Sequence, residues 1–249
     1  MSKLVDKLNQ VGRSSAQSLG FRRGVAAADK SMLLIAAVSL DDTSSMVGID
    51  DAIVDSVVGC ASNLKEDCQQ NVAQLAGDLP WGLWLENYTD EELNQLVGGN
   101  VDSLIFDPAG TTASLLQQEG IGKVMQVDLG ERGEVLAAIR NMSVDAVLID
   151  IEGKEQVSVH QLMHCERLVN LALRPLMVTT AAELTEGSIR GLWESGVSGV
   201  VVRGNGKDLK RKLVSMRGII KTLPATRERK IGKGQASLPR SEQEDNESR

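Results

Sequence analysis

Four acidic residues end consecutive short apolar segments of the chain: Glu86, Asp107, Asp128 and Asp150. Carboxylates can hold a divalent cation or transfer protons, because their pKa responds to burial and to neighbouring charge. If the segments are neighbouring parallel strands, about 4.8 Å apart, the four groups share one edge of the sheet. Two such charges about 5 Å apart repel by about 3 kcal/mol at an effective dielectric of 20, so the set requires compensation.

Several kinds of compensation are open. A Mg²⁺ or Mn²⁺ ion held by Glu86, Asp107 and Asp128 would polarise a substrate carbonyl and stabilise an enolate. The acids could instead have a raised pKa, pair with Arg203 or Lys154, or point into water, and strand-end aspartates also cap helices and close loops. We predict a catalytic set at this edge that comprises Glu86, Asp107, Asp128, Asp150 and Arg203.

A glycine-containing turn follows Arg203 and leads into Lys207. Glycines let backbone N–H groups approach an anion at a helix N-terminus, where the helix dipole favours negative charge. The sequence therefore predicts that Gly204, Asn205 and Gly206 bind a phosphate or carboxylate that Arg203 clamps. Such a turn is also an ordinary connection between a strand and a helix, and Asp208 adds a negative charge beside it.

Other candidate nucleophiles and bases have weaker patterns. His160 and His164 are four residues apart and could share a metal, but Gln161 replaces the glutamate of an HExxH motif, so we interpret them as surface or packing residues. Cys60 ends a strand-like segment, and no histidine stands at a strand end to activate it. Trp84 has the parity of Glu86 and could line a pocket beside it, although we interpret it first as a core residue.

The elements that must position these residues follow from a repeat. Four segments align without gaps, at residues 54–60, 101–107, 144–150 and 197–203, and four more strand-like segments lie at 33–40, 81–86, 123–128 and 175–180. Helical segments separate most of the strands, and residues 41–53 form the weakest predicted helix. Strands that alternate with helices in this way predict right-handed crossovers and a parallel sheet.

Read with a period of two residues, the repeat forms three layers. The first holds Ser56, Ser103, Ala146 and Gly199, the second Val58, Ile105, Leu148 and Val201, and the third Cys60, Asp107, Asp150 and Arg203. A TIM barrel fills its lumen with layers of four side chains from alternate strands. We therefore predict an α/β protein in which residues 31–223 form one (β/α)8 TIM barrel. The alternative is an open doubly wound sheet, but the G-x-G-x-x-G turn typical of it is absent.

Both ends of the chain differ from the repeat. In residues 1–30, Leu4, Leu8 and Val11 recur at helical spacing, which predicts an N-terminal amphipathic helix, able to cover the bottom of the barrel, and a polar connection. Residues 224–249 are rich in charged and small polar residues, so we predict a disordered tail. Its basic stretch at 227–233 and acidic stretch at 242–247 could dock a partner.

Composition excludes several classes of protein. The 249 residues carry a net charge of −7 with 2% aromatic residues, which disfavours nucleic-acid binding. The three cysteines have no metal-binding or disulfide spacing. The longest apolar run, at 32–40, is too short to cross a bilayer, and no signal peptide precedes it. We expect a cytoplasmic protein without a membrane partner.

The V-D-x-h-h-h-D strands, with the proline-led strands between them, resemble aldolase-type and phosphate-binding TIM barrels over about 190 residues. This resemblance of fold carries over no catalytic residue. The four strand-end carboxylates with one arginine instead favour an enzyme acting on a small anionic metabolite, carboxylated or phosphorylated, by metal-assisted lyase, aldolase or enolisation chemistry. The alternatives are a barrel that binds a ligand or partner without turnover, and a metal-free phosphosugar isomerase or synthase. A homo-oligomer is compatible with each of them.

Overall fold

The structure, a computed structural model, describes residues 2–13, 31–40, 51–63, 68–97, 99–151 and 154–224. The predicted tail, the polar connection and most of the predicted helix at 41–53 lie outside these residues. The strands are β1 Leu33–Ser39, β2 Ser56–Asn63, β3 Trp81–Asn87, β4 Ser103–Phe106, β5 Gly122–Gln126, β6 Ala146–Asp150, β7 Leu176–Thr180 and β8 Val197–Arg203. The helices are α1 Lys3–Arg13, α2 Cys68–Ala76, α3 Asp90–Val97, α4 Ser114–Gln117, α5 Gly133–Ile139, α6 Val159–Ala172, α7 Glu186–Glu194 and α8 Gly206–Ile220.

The eight strands form one closed parallel barrel in chain order, and β8 pairs with β1 to close it. The predicted TIM barrel is confirmed, and the bounds of β8 are those predicted from the repeat. Outward-facing strand residues pack with the helices in one hydrophobic cluster, while inward-facing residues form a second cluster in the lumen. Among the described residues no helix is both long enough and apolar enough to cross a membrane.

The predicted lumen layers are confirmed where the repeat is most regular. The branched layer of Val58, Ile105, Leu148 and Val201 lies in the lumen cluster and is fully buried. Below it, Gly82 of β3 leaves space for Ser103 of β4, because a Cβ on Gly82 would lie 2.3 Å from Ser103 Oγ. A larger residue at position 82 would therefore displace the neighbouring strand.

The aspartates that open three of the repeats have a structural role at the bottom of the barrel. Asp55 accepts a hydrogen bond from the Leu34 backbone at 2.9 Å, and Asp145 accepts one from the Lys123 backbone at 2.8 Å. Asp102 instead accepts hydrogen bonds from backbone N–H groups in the first turn of α1. These contacts explain why β2, β4 and β6 begin two residues later than predicted, since the aspartates bind neighbouring elements before the sheet pairing begins.

Helix α1 closes the bottom of the barrel, as its periodicity predicted. Leu4 and Leu8 are fully buried and join the lumen cluster. Gly199 lies next to this plug, because an added Cβ would be in van der Waals contact with the side chains of Leu8 and Ile35, at 3.4 Å. The strands finish at the other end of the barrel, where Arg203 and Asp150 keep part of their side chains exposed.

Helix α8 is fixed to the bottom of the barrel by a buried ion pair. Arg217 Nη2 donates to Asp55 Oδ2 at 2.6 Å, and the Asp55 side chain has no exposed surface. Arg217 Nε also donates to the carbonyl of Ile53. A buried charge needs such a partner, so this pair orients the last helix relative to β2.

Candidate functional site

The carboxyl ends of all eight strands meet at one mouth, and Arg203 and Asp150 face each other there. They are the last residues of β8 and β6, and Arg203 Nη2 donates to Asp150 Oδ2 at 2.6 Å. Both side chains keep about a third of their surface exposed, 39% and 33%. The prediction that Asp107, Asp150 and Arg203 emerge at the same end of the barrel is confirmed, because Asp107 directly follows the carboxyl end of β4. This ion pair is one of the ways of offsetting the repulsion between the strand-end carboxylates that the sequence left open.

Arg203 is also held from a second side by Trp84 of β3. Its Cζ atom lies 5.8 Å from the centroid of the indole, a distance at which the ring quadrupole attracts a guanidinium. Trp84 is half-buried and packs against the lumen cluster, so its position is set by the barrel core. Trp84 therefore contacts the guanidinium of Arg203 at the mouth and also fills part of the core.

Two buried polar atoms at the mouth have no hydrogen-bond partner among the described residues: Arg203 Nε and Thr179 Oγ1. Thr179 pairs in register with Asp150 on one side and with Val201 on the other. It therefore lies between the strands that supply the ion pair. We refer to Arg203 Nε and Thr179 Oγ1 as the open atoms of the mouth. Leaving such atoms unsatisfied costs about 1–3 kcal/mol each.

Two other buried side-chain atoms in the described ranges also lack a partner, Ser103 Oγ and Arg174 Nε. Ser103 begins β4 and Arg174 precedes β7, so both lie toward the bottom of the barrel. The open atoms of the mouth differ from them because they stand at the solvent-accessible end, on adjacent strands.

Cys60 lies on β2 with its side chain against the lumen cluster. Burial raises the pKa of its thiol to about 12, although the positive charge of Arg203 opposes this shift. The thiol is therefore protonated at neutral pH, whereas a cysteine nucleophile reacts as the thiolate. Cys60 forms part of the wall of the mouth rather than a reactive centre.

The turn between β8 and α8 is anchored to β1. Asn205 Oδ1 accepts a hydrogen bond from the Ser39 backbone at 3.2 Å, and the Gly204 backbone donates to the carbonyl of Ala37. Asn205 occupies the N-cap position of α8 without capping it through its side chain within the described residues, and Gly206 has a φ of +58°. Helix α8 therefore begins three residues after Arg203, with no side-chain cap from Asn205. Anion binding by Gly204, Asn205 and Gly206 remains a prediction.

The negative charge of Asp208 is compensated within α8. Lys212 Nζ and Arg211 Nη2 lie 2.6 Å and 2.9 Å from the Asp208 carboxylate. Hydrogen bonds lower the pKa of the Asp208 carboxyl, and the one from Lys212 has a larger effect than the one from Arg211. The charge that argued against an anion at this turn is therefore paired with two cations.

The other rim carboxylates do not join the Arg203 pair. Asp107 and Asp128 lie just beyond β4 and β5, which end earlier than predicted, and both are exposed, as is Glu86. Asp107 Oδ1 accepts the Ala109 backbone N–H at 2.9 Å and so closes its own loop. Within the described ranges no group of three or more His, Cys, Asp or Glu side chains is arranged to hold a metal ion. Metal binding at Glu86, Asp107 and Asp128 remains a prediction.

Thr179 is the mouth residue that sequence reasoning missed. The strand predicted at 175–180 ends at Thr180. The hydroxyl of Thr180, however, accepts a hydrogen bond from the Ala182 backbone at 3.0 Å. Met177, two residues before Thr179, lies in the lumen cluster, so Thr179 has the lumen parity. β7 lies outside the four aligned repeats, and its register to β8 shifts between Leu176 and Met177. Because the strand is apolar and matches none of the repeats, its sequence did not show which of its residues face the lumen.

Comparisons with known proteins agree on the fold alone. No family model matches the chain, and no curated protein sequence matches it. Among solved structures, the tryptophan synthase α-subunit from Pyrococcus furiosus is similar with a TM-score of 0.61 and 15% identity, over 76% of this chain and 99% of that one. Thiamine phosphate pyrophosphorylase from Pyrococcus furiosus has a TM-score of 0.53 and 11% identity, over 78% and 97%. An aldolase from Escherichia coli K12 has a TM-score of 0.50 and 13% identity, over 78% and 91%. The chain has the TIM-barrel fold of these proteins.

Proposed function

We propose that this barrel is an enzyme that binds a small phosphorylated or carboxylated metabolite at its mouth, with Arg203 as the anion-binding residue. Two buried atoms support this: Arg203 Nε and Thr179 Oγ1 belong to residues near the carboxyl ends of adjacent strands, and neither atom has a hydrogen-bond partner among the described residues. An oxyanion supplies acceptors to both of them, since a guanidinium is a donor only and a hydroxyl can also donate.

The contacts of Arg203 support an anion rather than a neutral ligand. Asp150 occupies one terminal nitrogen, while Trp84 holds the plane of the guanidinium. A guanidinium has five N–H donors in a fixed fork, so a second carboxylate or phosphate can bind to the remaining edge. Asp150 acts as a positioning residue, which keeps Arg203 in one orientation before the ligand arrives.

The N-terminus of α8 supports the same class of ligand. The helix begins three residues after Arg203, and the charge of Asp208 is already paired. A helix of this length attracts anions at its N-terminus. The names of two proteins with this fold, thiamine phosphate pyrophosphorylase and aldolase, agree by analogy with a phosphorylated substrate and with lyase chemistry.

For the reaction, we infer lyase or enolisation chemistry in which a rim carboxylate removes a proton from the bound metabolite. Glu86 and Asp128 are the exposed acids available for that role, because Asp107 closes its loop and Asp150 pairs with Arg203. If Mg²⁺ or Mn²⁺ takes part, one or two of these carboxylates together with water and substrate oxygens would bind it, as is usual for Mg²⁺. The ion would polarise the substrate carbonyl.

The test is ligand binding by calorimetry with inorganic phosphate, phosphoglycolate and pyruvate as probes. Arg203→Met should weaken binding of the best probe about tenfold or more, because a charge-assisted hydrogen bond contributes about 1.5–3 kcal/mol. Arg190→Met is the matched control, since Arg190 is an exposed arginine of α7 that pairs with Glu186. Equal binding by wild type and Arg203→Met would refute the proposed site. Binding without turnover of any probe or its homologues would leave a ligand-binding barrel instead of an enzyme.

A further inference from the structure

Two histidines face each other on the solvent side of α6. His160 and His164 are one helical turn apart, and their Nε2 atoms lie 3.2 Å from each other. The ring centroids are 4.4 Å apart at an interplanar angle of 69°. Their Nε2 atoms are therefore close enough to share one hydrogen bond on the surface of the helix.

The separation of the two nitrogens is the one that a single metal ion requires. Ligands at the Zn–N distance of about 2.0–2.1 Å are about 3.3–3.4 Å apart in a tetrahedral site and about 3.0 Å apart when adjacent in an octahedral one. The observed 3.2 Å lies between these values. A small rotation of either ring would be enough to admit an ion.

The ring of His164 also has a backbone partner, since it forms a hydrogen bond with the Leu129 backbone. Metal-binding histidines commonly use the ring nitrogen that does not bind the metal for a contact of this kind.

In the absence of a metal, Nε2 of His160 can donate to Nε2 of His164. His160 is exposed, so water can support its proton on either ring nitrogen. Moving that proton to Nδ1 presents two unprotonated Nε2 atoms to an ion without ionising either ring.

We propose that His160 and His164 bind one divalent transition-metal ion, such as Zn²⁺, Ni²⁺ or Cu²⁺, on the outer surface of α6. Imidazole nitrogens select these ions over Mg²⁺, which prefers oxygen ligands. Since the described residues contain no group of three metal-binding side chains, water or an external ligand completes the coordination. The site is outside the barrel lumen and does not depend on the function proposed for the mouth.

The experiment is titration of the full chain with Zn²⁺ by calorimetry and with Cu²⁺ by electron paramagnetic resonance. Wild type should bind one equivalent and show hyperfine coupling to two nitrogens. His160→Gln and His164→Gln should each weaken binding by at least about tenfold, because even losing a ligand's supporting partner costs 10–100-fold. The double variant His164→Gln with Arg167→His keeps two histidines on α6 but separates them by about 10 Å along the axis, so it should bind as weakly as His164→Gln.

Either of two results would overturn the proposal: wild-type affinity no higher than that of His164→Gln, or full affinity in the double variant. Circular dichroism of each variant shows whether it is folded. Because both histidines are on the surface side of α6, a loss of binding with an unchanged spectrum assigns the site to the imidazoles.

Discussion

Replacing the hydroxyl of Thr179 should stabilise the protein, whereas most core substitutions destabilise it. Thr179 is fully buried, and its Oγ1 has no hydrogen-bond partner among the described residues. Thr179→Val replaces the hydroxyl with a methyl group of nearly the same volume. The variant should therefore be more stable than wild type when no ligand is bound, because it no longer buries an unsatisfied polar group.

The expected size of the effect follows from the cost of such a group. A buried unsatisfied hydroxyl destabilises a protein by about 1–3 kcal/mol, so Thr179→Val should raise the free energy of unfolding by about 1 kcal/mol or more. For a chain of this size that raises the Tm by about 2–4 °C for each kcal/mol. The same change should weaken anion binding at the mouth, since it removes one of the two open atoms.

Thr180 is the matched control because it is the next residue, equally buried, and differs in having a partner. Its hydroxyl accepts a hydrogen bond from the Ala182 backbone at 3.0 Å. Thr180→Val should lower the stability by about 1 kcal/mol, because it leaves that N–H without its acceptor. Urea denaturation of both variants, with equal slopes, measures the two changes. If both substitutions destabilise the barrel to the same extent, the Thr179 hydroxyl is already satisfied and the reasoning about the mouth is wrong.

Three further predictions concern other parts of the barrel. Asp55→Asn should lower the free energy of unfolding in urea by about 3–5 kcal/mol, because it leaves the Arg217 charge buried and unpaired; a change below 1 kcal/mol would contradict this. Millimolar Mg²⁺ or Mn²⁺ should raise the Tm through a rim carboxylate, and Asp128→Asn should remove the response; no response in wild type would refute it. Burial raises the pKa of Cys165 to about 12, above its ordinary value of 9.0. The contribution of the protonated Cys165 thiol to the free energy of unfolding should therefore be full below pH 9 and decrease as the pH rises toward 12. The free energy of unfolding should fall less steeply over this range in Cys165→Ala than in wild type, and equal slopes would contradict the shift.

The fold could be predicted because it depends on periodicity. Four repeats fixed which residues of the even strands face the lumen, and the structure places Val58, Ile105, Leu148 and Val201 there together. In these strands, residues of similar size recur at the same lumen positions, so the sequence shows which side chains face inward. The aspartates that begin the repeats could not be interpreted in the same way, because their partners belong to other segments of the chain.

The candidate site could be predicted only in part. Arg203 and Asp150 were expected at one end of the barrel because they end aligned strands, and they form an ion pair. The partner of Asp107 was not predictable, because its carboxylate accepts a backbone N–H from Ala109 within its own loop. Thr179 was missed because its parity is set by the register of β7 with its neighbours, which an apolar strand does not reveal.

If the proposed function is right, Arg203 Nε and Thr179 Oγ1 bind the anion directly. The most direct measurement is the ¹⁵N-correlated NMR signal of the Arg203 Nε–H group, assigned by its loss in Arg203→Lys, during titration with inorganic phosphate or the tightest probe. We predict a saturable shift of this signal, and a smaller one in Thr179→Val at the same ligand concentration. If the probe binds while the Arg203 Nε–H signal stays in place, the ligand binds elsewhere and the proposed site is wrong.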